Sequence, residues 1–427
     1  MRLPGRLSAA IEVLTEVETR HRPVAEALKS WGLANRFAGA GDRAAIGNLV
    51  YDALRRRASH AYAMGSDTPR ALVLSVAVGD WGETPETLAA MFTTDTHAPT
   101  ALTDDEVARL TAVDPLGTAP EMVRADLPEW CRPHLGFVDI VPEGEAMSAR
   151  PPLDLRVNTL KSSRDKTLKS LARFGAEPTE ISPIGIRIAA GNRDSRTPNV
   201  QVEEGYLKGQ FEVQDQGSQI VAALTGARPG EQVLDLCAGA GGKTLAIAAA
   251  MENKGQVFAY DSDRHRLAPI YDRLKRNGVR NVQVRAPAPA ALDDLVGKMD
   301  RVVIDAPCTG SGTWRRRPDT KWKLTLEQMA ARVAEQAAIL SEGARYVRPG
   351  GALAYITCSI LSDENERQVA SFLASHPGFA SEPITPAFES LAGGAASRAL
   401  FFPSGGMLLT PYRTSTDGFF LALMRKA

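Results

Sequence analysis

The chain has 427 residues, which at about 150 residues per domain predicts two or three domains, and its 44% hydrophobic and 23% charged residues exclude a disordered or collagen-like protein. Lys and Arg together number 50, as do Asp and Glu, so no net charge draws the chain to a polyanion or a membrane, and such a partner needs a local patch. The four cysteines lack paired spacing and no apolar run of about 18 residues occurs, which predicts reduced thiols, no membrane span and a cytoplasmic location.

The N-terminal third has the hydrophobic pattern of a helical bundle. Apolar residues recur at helical spacing across residues 7–110. Thr103 with Glu106 three residues later forms the pattern of a capping box, which marks a helix start. Proline-rich sequence over 115–152 then leads into a different pattern. We therefore predict an all-helical domain over residues 1–145.

A short segment of mixed character follows. Leu153–Asn158 is extended, a helical stretch ends at Gly175, and Ile186–Ala189 is again extended. These elements predict a small α/β module over residues 146–210.

The remainder, residues 211–427, alternates short apolar strands with helices. Strands alternating with helices predict a parallel, doubly wound sheet of the Rossmann-like type. The predicted strands are Val233–Leu236, Val257–Tyr260, Val282–Val284, Val302–Ile304 and Leu353–Ile356.

The first of these strands runs into a glycine-rich turn that suits a cofactor. Its residues are Cys237, Ala238, Gly239, Ala240, Gly241, Gly242 and Lys243. A Walker A loop needs glycine in place of Cys237, and a dinucleotide fingerprint begun at Gly239 needs glycine in place of Thr244. Asp261 closes the second strand at the position that accepts ribose hydroxyls. A ribose site without a pyrophosphate fingerprint indicates S-adenosylmethionine, whose carboxylate Lys243 is expected to meet.

Two cysteines follow two other strands, Cys308 in Asp305-Ala306-Pro307-Cys308 and Cys358 in Thr357-Cys358-Ser359. The carboxyl ends of parallel strands share one edge, so both thiols are expected beside the cofactor turn. No His or further Cys lies at metal-ligand spacing, and no metal is predicted. Two thiols beside a methyl sulfonium suit methylation of pyrimidine carbon 5, in which one thiolate adds to carbon 6 and a second group removes the carbon 5 proton. Asp305, if protonated, donates to ring nitrogen 3.

These motifs, with Leu234-Asp235-Leu236 before the turn, resemble those of the Sun (Fmu) and nucleolar-protein family of RNA (cytosine-5)-methyltransferases. The helical N-terminus is similar to the NusB-like RNA-binding domain of the bacterial RsmB-type branch. The resemblance implies an S-adenosylmethionine-dependent enzyme acting on 16S ribosomal RNA, with the middle module also binding RNA. It implies that Cys358 is the nucleophile, that Cys308 aids product release, and that Asp305 and the turn contact cofactor.

The sequence departs from the family pattern at two places. Ala240 stands where the family usually has proline, a change that the turn tolerates. The third strand ends in Arg285-Ala286-Pro287-Ala288, where the family commonly has an acid near the adenine. This second departure predicts weaker or altered cofactor binding.

Basic and aromatic residues alternate from Trp314 to Lys323, which predicts a loop that binds RNA phosphates and stacks unpaired bases. The target cytosine is expected to be unpaired or flipped.

The cluster Arg55-Arg56-Arg57 is equally consistent with an RNA contact and with a basic helix C-terminus that interacts with the helix dipole. Glu364 and Asn365 are interpreted as helix-capping residues. Two alternatives stay open: the same reaction on transfer RNA, and a non-catalytic RNA-binding or assembly factor. Methylation of an amino group is disfavoured, because that class of enzyme resembles Asn/Asp-Pro-Pro-aromatic at this strand end and Asp305-Ala306-Pro307-Cys308 does not fit.

Overall fold

A computed structural model describes residues 1–137 and 139–427. Its N-terminal part is helical, as expected from the apolar periodicity, and Thr103 with Glu106 forms the predicted capping box. The resemblance to NusB stays a prediction. The helices are α1 Leu3–Thr19, α2 Val24–Ala34, α3 Ala40–Arg55, α4 Arg57–Met64, α5 Pro69–Ser75, α6 Pro85–Thr94, α7 Asp104–Leu110, α8 Glu121–Arg124 and α9 Ile140–Ser148, with a π-helical turn at Val76–Asp80 and a 3₁₀ helix at Glu129–His134.

The middle module is a small antiparallel sheet with helices on it. Its elements are β1 Leu153–Val157, α10 Arg164–Leu171, β2 Ala176–Pro178, β3 Gly185–Ile188, α11 Glu204–Leu207 and β4 Phe211–Val213. The strand order is β2-β3-β1-β4. Because β4 pairs with β1, this sheet extends past residue 210, the predicted end of the module. The Asn158 side-chain amide donates to the carbonyls of Gly209 (2.8 Å) and Asn277 (2.9 Å), which fixes the module against the third part of the chain.

The third part is built on one large sheet flanked by helices. Its strands are β5 Gln232–Asp235, β6 Gln256–Tyr260, β7 Val282–Arg285, β8 Met299–Asp305, β9 Val347–Thr357, β10 Phe379–Glu382, β11 Leu400–Phe401, β12 Gly406–Leu409 and β13 Phe419–Lys426. Its helices are α12 Gln216–Leu224, α13 Gly242–Ala250, α14 Arg264–Leu267, α15 Ile270–Asn277, α16 Pro318–Lys323, α17 Leu326–Tyr346, α18 Glu366–Ser375, α19 Thr385–Ala392 and α20 Pro411–Thr414.

The strand order is β11-β12-β13-β9-β8-β5-β6-β7, and β10 also pairs with β13. Strands β5 to β9 are parallel, as predicted. Strands β10 to β13 were not among the predicted strands, and their antiparallel pairing makes the sheet mixed. The physical reason is the length of the connections: strands β12 and β13 are separated only by residues 410–418, which is shorter than a parallel crossover requires.

The strand order reverses between β5 and β8. After β5 the chain continues to β6 and β7 on one side, and then crosses to β8 and β9 on the other. Such a switch point leaves a crevice beyond the carboxyl ends of β5 and β8, where ligands bind in open α/β sheets. Among the described residues, no helix combines the length and apolar character needed to cross a bilayer.

Candidate active site

The glycine-rich turn between β5 and α13 has the backbone shape that its sequence indicates. Gly239 and Gly241 have φ values of +48° and +84°, which disfavour residues with a Cβ. A Cβ on Gly241 would also lie 2.5 Å from Ile270 Cγ1. The turn therefore depends on glycine at this position for both conformation and space.

Asp261 holds the turn against the end of β6. The backbone N–H of Gly239 donates to Asp261 Oδ2 at 2.9 Å, and that of Asp263 donates to Oδ1 at 2.9 Å. The residue is only 2% exposed. Asp261 thus lies beside the turn as the sequence predicts, and the structure adds that it fixes the turn's backbone.

Asp235, the last residue of β5, carries an unsatisfied buried atom beneath the turn. Thr244 Oγ1 donates to its Oδ2 at 2.6 Å, whereas Oδ1 lacks a hydrogen-bond partner among the described residues. Burial raises the pKa of Asp235 to about 7. A free acceptor beside glycine N–H groups suits a ligand that carries both donor and acceptor groups, as the amino-acid part of S-adenosylmethionine does.

Lys243, at the start of α13, forms an ion pair with Asp305. Its Nζ lies 2.7 Å from Asp305 Oδ2; the lysine side chain is 6% exposed and the aspartate 35%. The carboxyl ends of β5 and β8 are adjacent, so the Lys243 ammonium reaches Asp305. A Lys243 that meets the cofactor's carboxylate and a protonated Asp305 that donates to ring nitrogen 3 stay predictions.

The two cysteines predicted to share one edge of the sheet lie together. Cys308 Sγ and Cys358 Sγ are 3.4 Å apart, and both are free thiols. The hydrogen bond to Cys358 raises the pKa of Cys308, and burial and the neighbouring charges of Cys358 and Glu364 add to the rise. A raised pKa favours the thiol form of Cys308, and either sulfur can donate in this contact. The part of the chain that the structure describes holds no cluster of three His, Cys, Asp or Glu arranged for a metal ion.

The backbone around Cys308 is clamped to the backbone around Cys358. The N–H of Gly312 donates to the carbonyl of Cys358 at 2.9 Å. The N–H of Gly418 donates to the carbonyl of Gly312 at 2.8 Å. A Cβ on Gly312 would lie 2.2 Å from the oxygen of Gly418. This close approach explains why the Gly418 region, at the start of β13, belongs to the site.

Sequence reasoning missed the role of Glu364 and Asn365, which are fully buried rather than surface caps. Glu364 accepts hydrogen bonds from the backbone and hydroxyl of Thr309, next to Cys308, and from the hydroxyl of Ser359, next to Cys358. The Asn365 amide donates to the carbonyl of Ser359 at 2.9 Å. No pattern of spacing in this segment distinguishes such contacts from helix capping, because the partners lie about 50 residues away or on a separate loop.

The basic segment after Cys308 is mostly internal, which contradicts the predicted RNA-stacking loop. Trp314 is 1% exposed and Lys321 is 1% exposed. Lys321 Nζ donates to the Arg55 carbonyl at 2.7 Å, and Trp322 Nε1 to that of Leu54 at 2.6 Å. Because α16 packs against α3, these contacts place Arg55 at the interface between the helical part and the large-sheet part of the chain.

Arginine replaces the expected acid at the end of β7. The guanidinium of Arg285 lies over the ring of Phe258, 5.2 Å from its centroid, and donates to Asp294 at 2.7 Å. The segment Ala286–Ala288 that follows offers no carboxylate.

Comparisons with known proteins agree with this geometry. The profile of the 16S rRNA methyltransferase RsmB/F family matches residues 222–425, and that of the ferredoxin-like domain of RsmF/B-like methyltransferases matches residues 144–193. The chain is 34% identical over 281 residues to the probable ribosomal RNA small subunit methyltransferase B of Synechocystis sp., covering 65% of this chain and 60% of that protein. It is 36% identical over 267 residues to ribosomal RNA small subunit methyltransferase B of Klebsiella pneumoniae subsp. pneumoniae, covering 60% of each. The matched region thus spans 60% of the length of these relatives.

Solved structures show the same architecture. The crystal structure of PH0851 has a TM-score of 0.73 at 25% identity and covers 100% of this chain and 99% of its own. That of a methyltransferase homolog from Pyrococcus horikoshii has a TM-score of 0.58 at 26% identity and covers 72% of this chain and 98% of its own. The large-sheet domain has the Rossmann-like fold of methyltransferases whose cofactor is S-adenosylmethionine. Through residues 144–193 and 222–425, the chain belongs to the 16S rRNA methyltransferase RsmB/F family.

Proposed function

We propose that this protein transfers a methyl group from S-adenosylmethionine to carbon 5 of a cytosine in RNA of the small ribosomal subunit. The observation that carries the proposal is the 3.4 Å approach of Cys308 and Cys358 at the switch point, beside the glycine-rich turn. Amino-group methylation needs no such pair of thiols, whereas carbon 5 methylation uses both.

The cofactor is held by the turn 237–243 and by Asp261 and Asp305. Its sulfonium supplies an electrophilic methyl group. The turn brings backbone N–H groups to a helix N-terminus, where they suit a carboxylate. Asp235 Oδ1, buried beside the turn without a partner among the described residues, is an acceptor for an ammonium group. The Arg285 end of β7 leaves the adenine without an acidic partner, so we expect weaker binding than a carboxylate there would give.

Cys358 is the nucleophile. Its thiolate adds to carbon 6 of cytosine, and the electron pair displaced to carbon 5 forms the new bond to the methyl group as the sulfonium sulfur leaves with the pair of the broken bond. The choice of Cys358 as the attacking thiol follows from the family resemblance of its Thr357-Cys358-Ser359 motif, and the 3.4 Å contact supports joint action of the two sulfurs. The adduct then carries both the methyl group and a proton at carbon 5.

Cys308 removes that proton. The Cys358 sulfur is the main cause of its raised pKa. Once the Cys358 sulfur is bonded to carbon 6, it no longer shares a hydrogen bond with Cys308, and Cys308 releases its own proton to solvent. Its thiolate takes the carbon 5 proton, the ring double bond returns, and the Cys358 thiolate leaves.

Asp305 and Lys243 act on the opposite edge of the base. The Asp305 carboxylate accepts a hydrogen bond from the exocyclic amino group, which uracil lacks. The Lys243 ammonium offsets the negative charge that develops on the ring as the thiolate adds. This pair therefore supports cytosine over uracil as the substrate.

The decisive experiment compares C308A and C358A with the wild type on small-subunit RNA and S-adenosylmethionine. We expect C308A to accumulate an RNA–protein adduct stable to denaturing gel electrophoresis, and C358A to form none. Wild-type methylation by C358A would refute the mechanism. Bisulfite sequencing of RNA from cells lacking the protein then locates the target, and loss of signal in transfer RNA alone would favour that alternative substrate.

A non-catalytic RNA-binding role is the second candidate, and the Arg285–Ala288 segment favours it. Calorimetry with S-adenosylmethionine separates the two. Binding in the micromolar range supports the enzyme, whereas the absence of measurable heat at millimolar ligand supports the assembly factor.

A further inference from the structure

The loops that carry Cys308 and Cys358 leave the large sheet side by side. Strands β8 and β9 pair in parallel, with Asp305 opposite Ile356, and the backbone N–H of Ala306 continues the ladder by donating to the Ile356 carbonyl at 2.8 Å. Adjacent strands lie about 4.8 Å apart, which is inside the range of Cα separations that disulfides span. The sheet therefore starts the two loops at a spacing that suits a covalent bridge between them.

The two sulfur atoms are already in contact. Cys308 Sγ lies 3.4 Å from Cys358 Sγ, and both residues are free thiols that are partly exposed. A disulfide bond has an S–S length of about 2.05 Å, so the sulfurs need to approach by only about 1.4 Å. Residues 306–310 belong to neither helix nor strand, so no regular element has to break when the Cys308 side chain turns toward its neighbour.

The other two cysteines have different surroundings. Cys131 is 0% exposed, which keeps it from reagents in solution. Cys237 is partly exposed and free, but among the described residues its sulfur contacts no second thiol. Only the pair at the ends of β8 and β9 thus combines exposure with a partner sulfur in the described part of the chain.

We propose that a hydroperoxide converts Cys308 and Cys358 into a reversible disulfide, and that this bond protects both thiols from irreversible oxidation. In the first step one thiolate attacks hydrogen peroxide, the O–O bond breaks, and the sulfur becomes a sulfenic acid while hydroxide takes up a proton and leaves as water. In the second step the other thiol attacks the sulfenic sulfur, the S–S bond forms, the S–O bond breaks, and a second water leaves. The two thiols lose two electrons and the peroxide is reduced to water, with the same product whichever sulfur reacts first.

The contact between the sulfurs favours the second step over further oxidation. A sulfenic acid that stays unpaired goes on to sulfinic acid, which thiol reductants do not reverse. The pKa of Cys308 is raised, chiefly by its hydrogen bond to Cys358, and this slows a first attack by Cys308. Closure of the disulfide is nevertheless intramolecular between groups already in contact, which gives it an advantage over a second encounter with peroxide.

The bond would also stop catalysis until it is reduced. With both sulfurs joined, neither adds to a base nor accepts a proton. This consequence rests on the proposed function, whereas the bond itself rests only on the positions of the sulfurs.

The test follows the thiols by mass spectrometry, without RNA or cofactor. The full wild-type chain is treated with hydrogen peroxide at about pH 8, where ordinary thiols are partly ionised, and remaining thiols are blocked with N-ethylmaleimide. We expect an intact chain lighter by two hydrogen atoms and a tryptic peptide pair that links Cys308 to Cys358. Dithiothreitol is expected to restore both thiols. Cys237 in the same chain reports the oxidation of a thiol without a partner.

C308S is the matched variant, because it keeps the shape of the side chain and removes one sulfur. After the same treatment we expect Cys358 in C308S to carry two added oxygen atoms that dithiothreitol does not remove. The fraction of Cys358 recovered as thiol is expected to be about tenfold lower than in the wild type. C358S gives the reciprocal measurement on Cys308.

Equal recovery of Cys358 in the wild type and in folded C308S would overturn the inference. So would the absence of the linked peptide pair, or its appearance only in chains joined as dimers on a non-reducing gel. If C308S does not fold, the peptide map of the wild type decides alone. Because this test needs no methylation, its outcome is independent of the RNA adduct experiment, which decides the proposed function.

Discussion

Lys243 Nζ lies 2.7 Å from Asp305 Oδ2, and this ion pair joins the helix that follows the glycine-rich turn to the strand that leads to Cys308. The two residues come from motifs 62 positions apart in the sequence. Their contact makes the cofactor turn and the cysteine loop one structural unit, so a change at either residue affects both.

The first prediction concerns this pair. D305N removes the carboxylate and leaves the buried ammonium of Lys243 without its partner. We expect methyl transfer to fall on the order of 10²–10³-fold, comparable with the loss of one preorganised charge-stabilising group. We also expect the urea midpoint of unfolding to fall. The measurements are single-turnover methylation and urea denaturation.

The double variant K243M/D305N is the control for that prediction. It removes both charges, so stability is expected to return toward the wild type while activity stays low. Full activity in either variant would show that the pair does not act on the base.

The second prediction concerns the interface behind the cysteine loop. Asp417 accepts from Arg315 Nε at 2.6 Å and from Arg316, and its side chain is 3% exposed. D417N removes one of the two carboxylates that Arg315 and Arg316 share and leaves Asp215 as their partner. We therefore expect a loss of about 1–3 kcal/mol in the free energy of unfolding. E335Q, in the exposed pair of Arg332 and Glu335, is expected to change it by less than about 0.5 kcal/mol. Equal losses in the two variants would contradict the burial of Asp417.

The third prediction tests the shape of the turn. G241A places a Cβ 2.5 Å from Ile270 Cγ1 at a residue with φ of +84°, so we expect a loss of at least about 1–2 kcal/mol of stability. G242A is the matched comparison, because a Cβ there lies 3.8 Å from its nearest neighbour and φ is not positive. Thermal unfolding measures both, and a lower melting temperature for G242A than for G241A would refute the stated geometry.

Much of the catalytic half was predictable because its signals are local. An apolar run such as Val302–Ile304 predicts a strand, and the geometry of parallel sheets then brings Cys308 and Cys358 to one edge without further information. The family resemblance assigned a role to each thiol, and those roles stay predictions.

Side chains whose environment is set by distant parts of the chain were not predictable. Trp314 and Lys321 have the composition of an RNA-binding loop, yet Trp314 packs in the core beside the large sheet and Lys321 donates to the Arg55 carbonyl at the end of α3. A charged residue in a basic run is normally solvated, and only the tertiary contact overrides that expectation.

The last prediction concerns pH. Glu143 in α9 is 0% exposed, accepts from Thr410 Oγ1 at 2.5 Å and from the backbone of Tyr412, and burial raises its pKa to about 7. A carboxyl group whose pKa is higher in the folded state binds more protons when folded. Its contribution therefore destabilises the fold as pH rises from about 4.5 to about 7, by at most about 3 kcal/mol.

Urea unfolding of the wild type and of E143Q at pH 5 and pH 7.5 measures this effect. The amide does not titrate, so we expect the variant to lose less stability than the wild type between the two pH values, whatever its stability at pH 5. E145Q, at an exposed position of the same helix, is expected to keep the wild-type difference. Because Glu143 faces the segment between β12 and β13, its ionisation weakens the contact between α9 and the antiparallel edge of the large sheet. If the free energy of unfolding changes equally between pH 5 and pH 7.5 in E143Q and in the wild type, groups other than Glu143 cause the pH dependence.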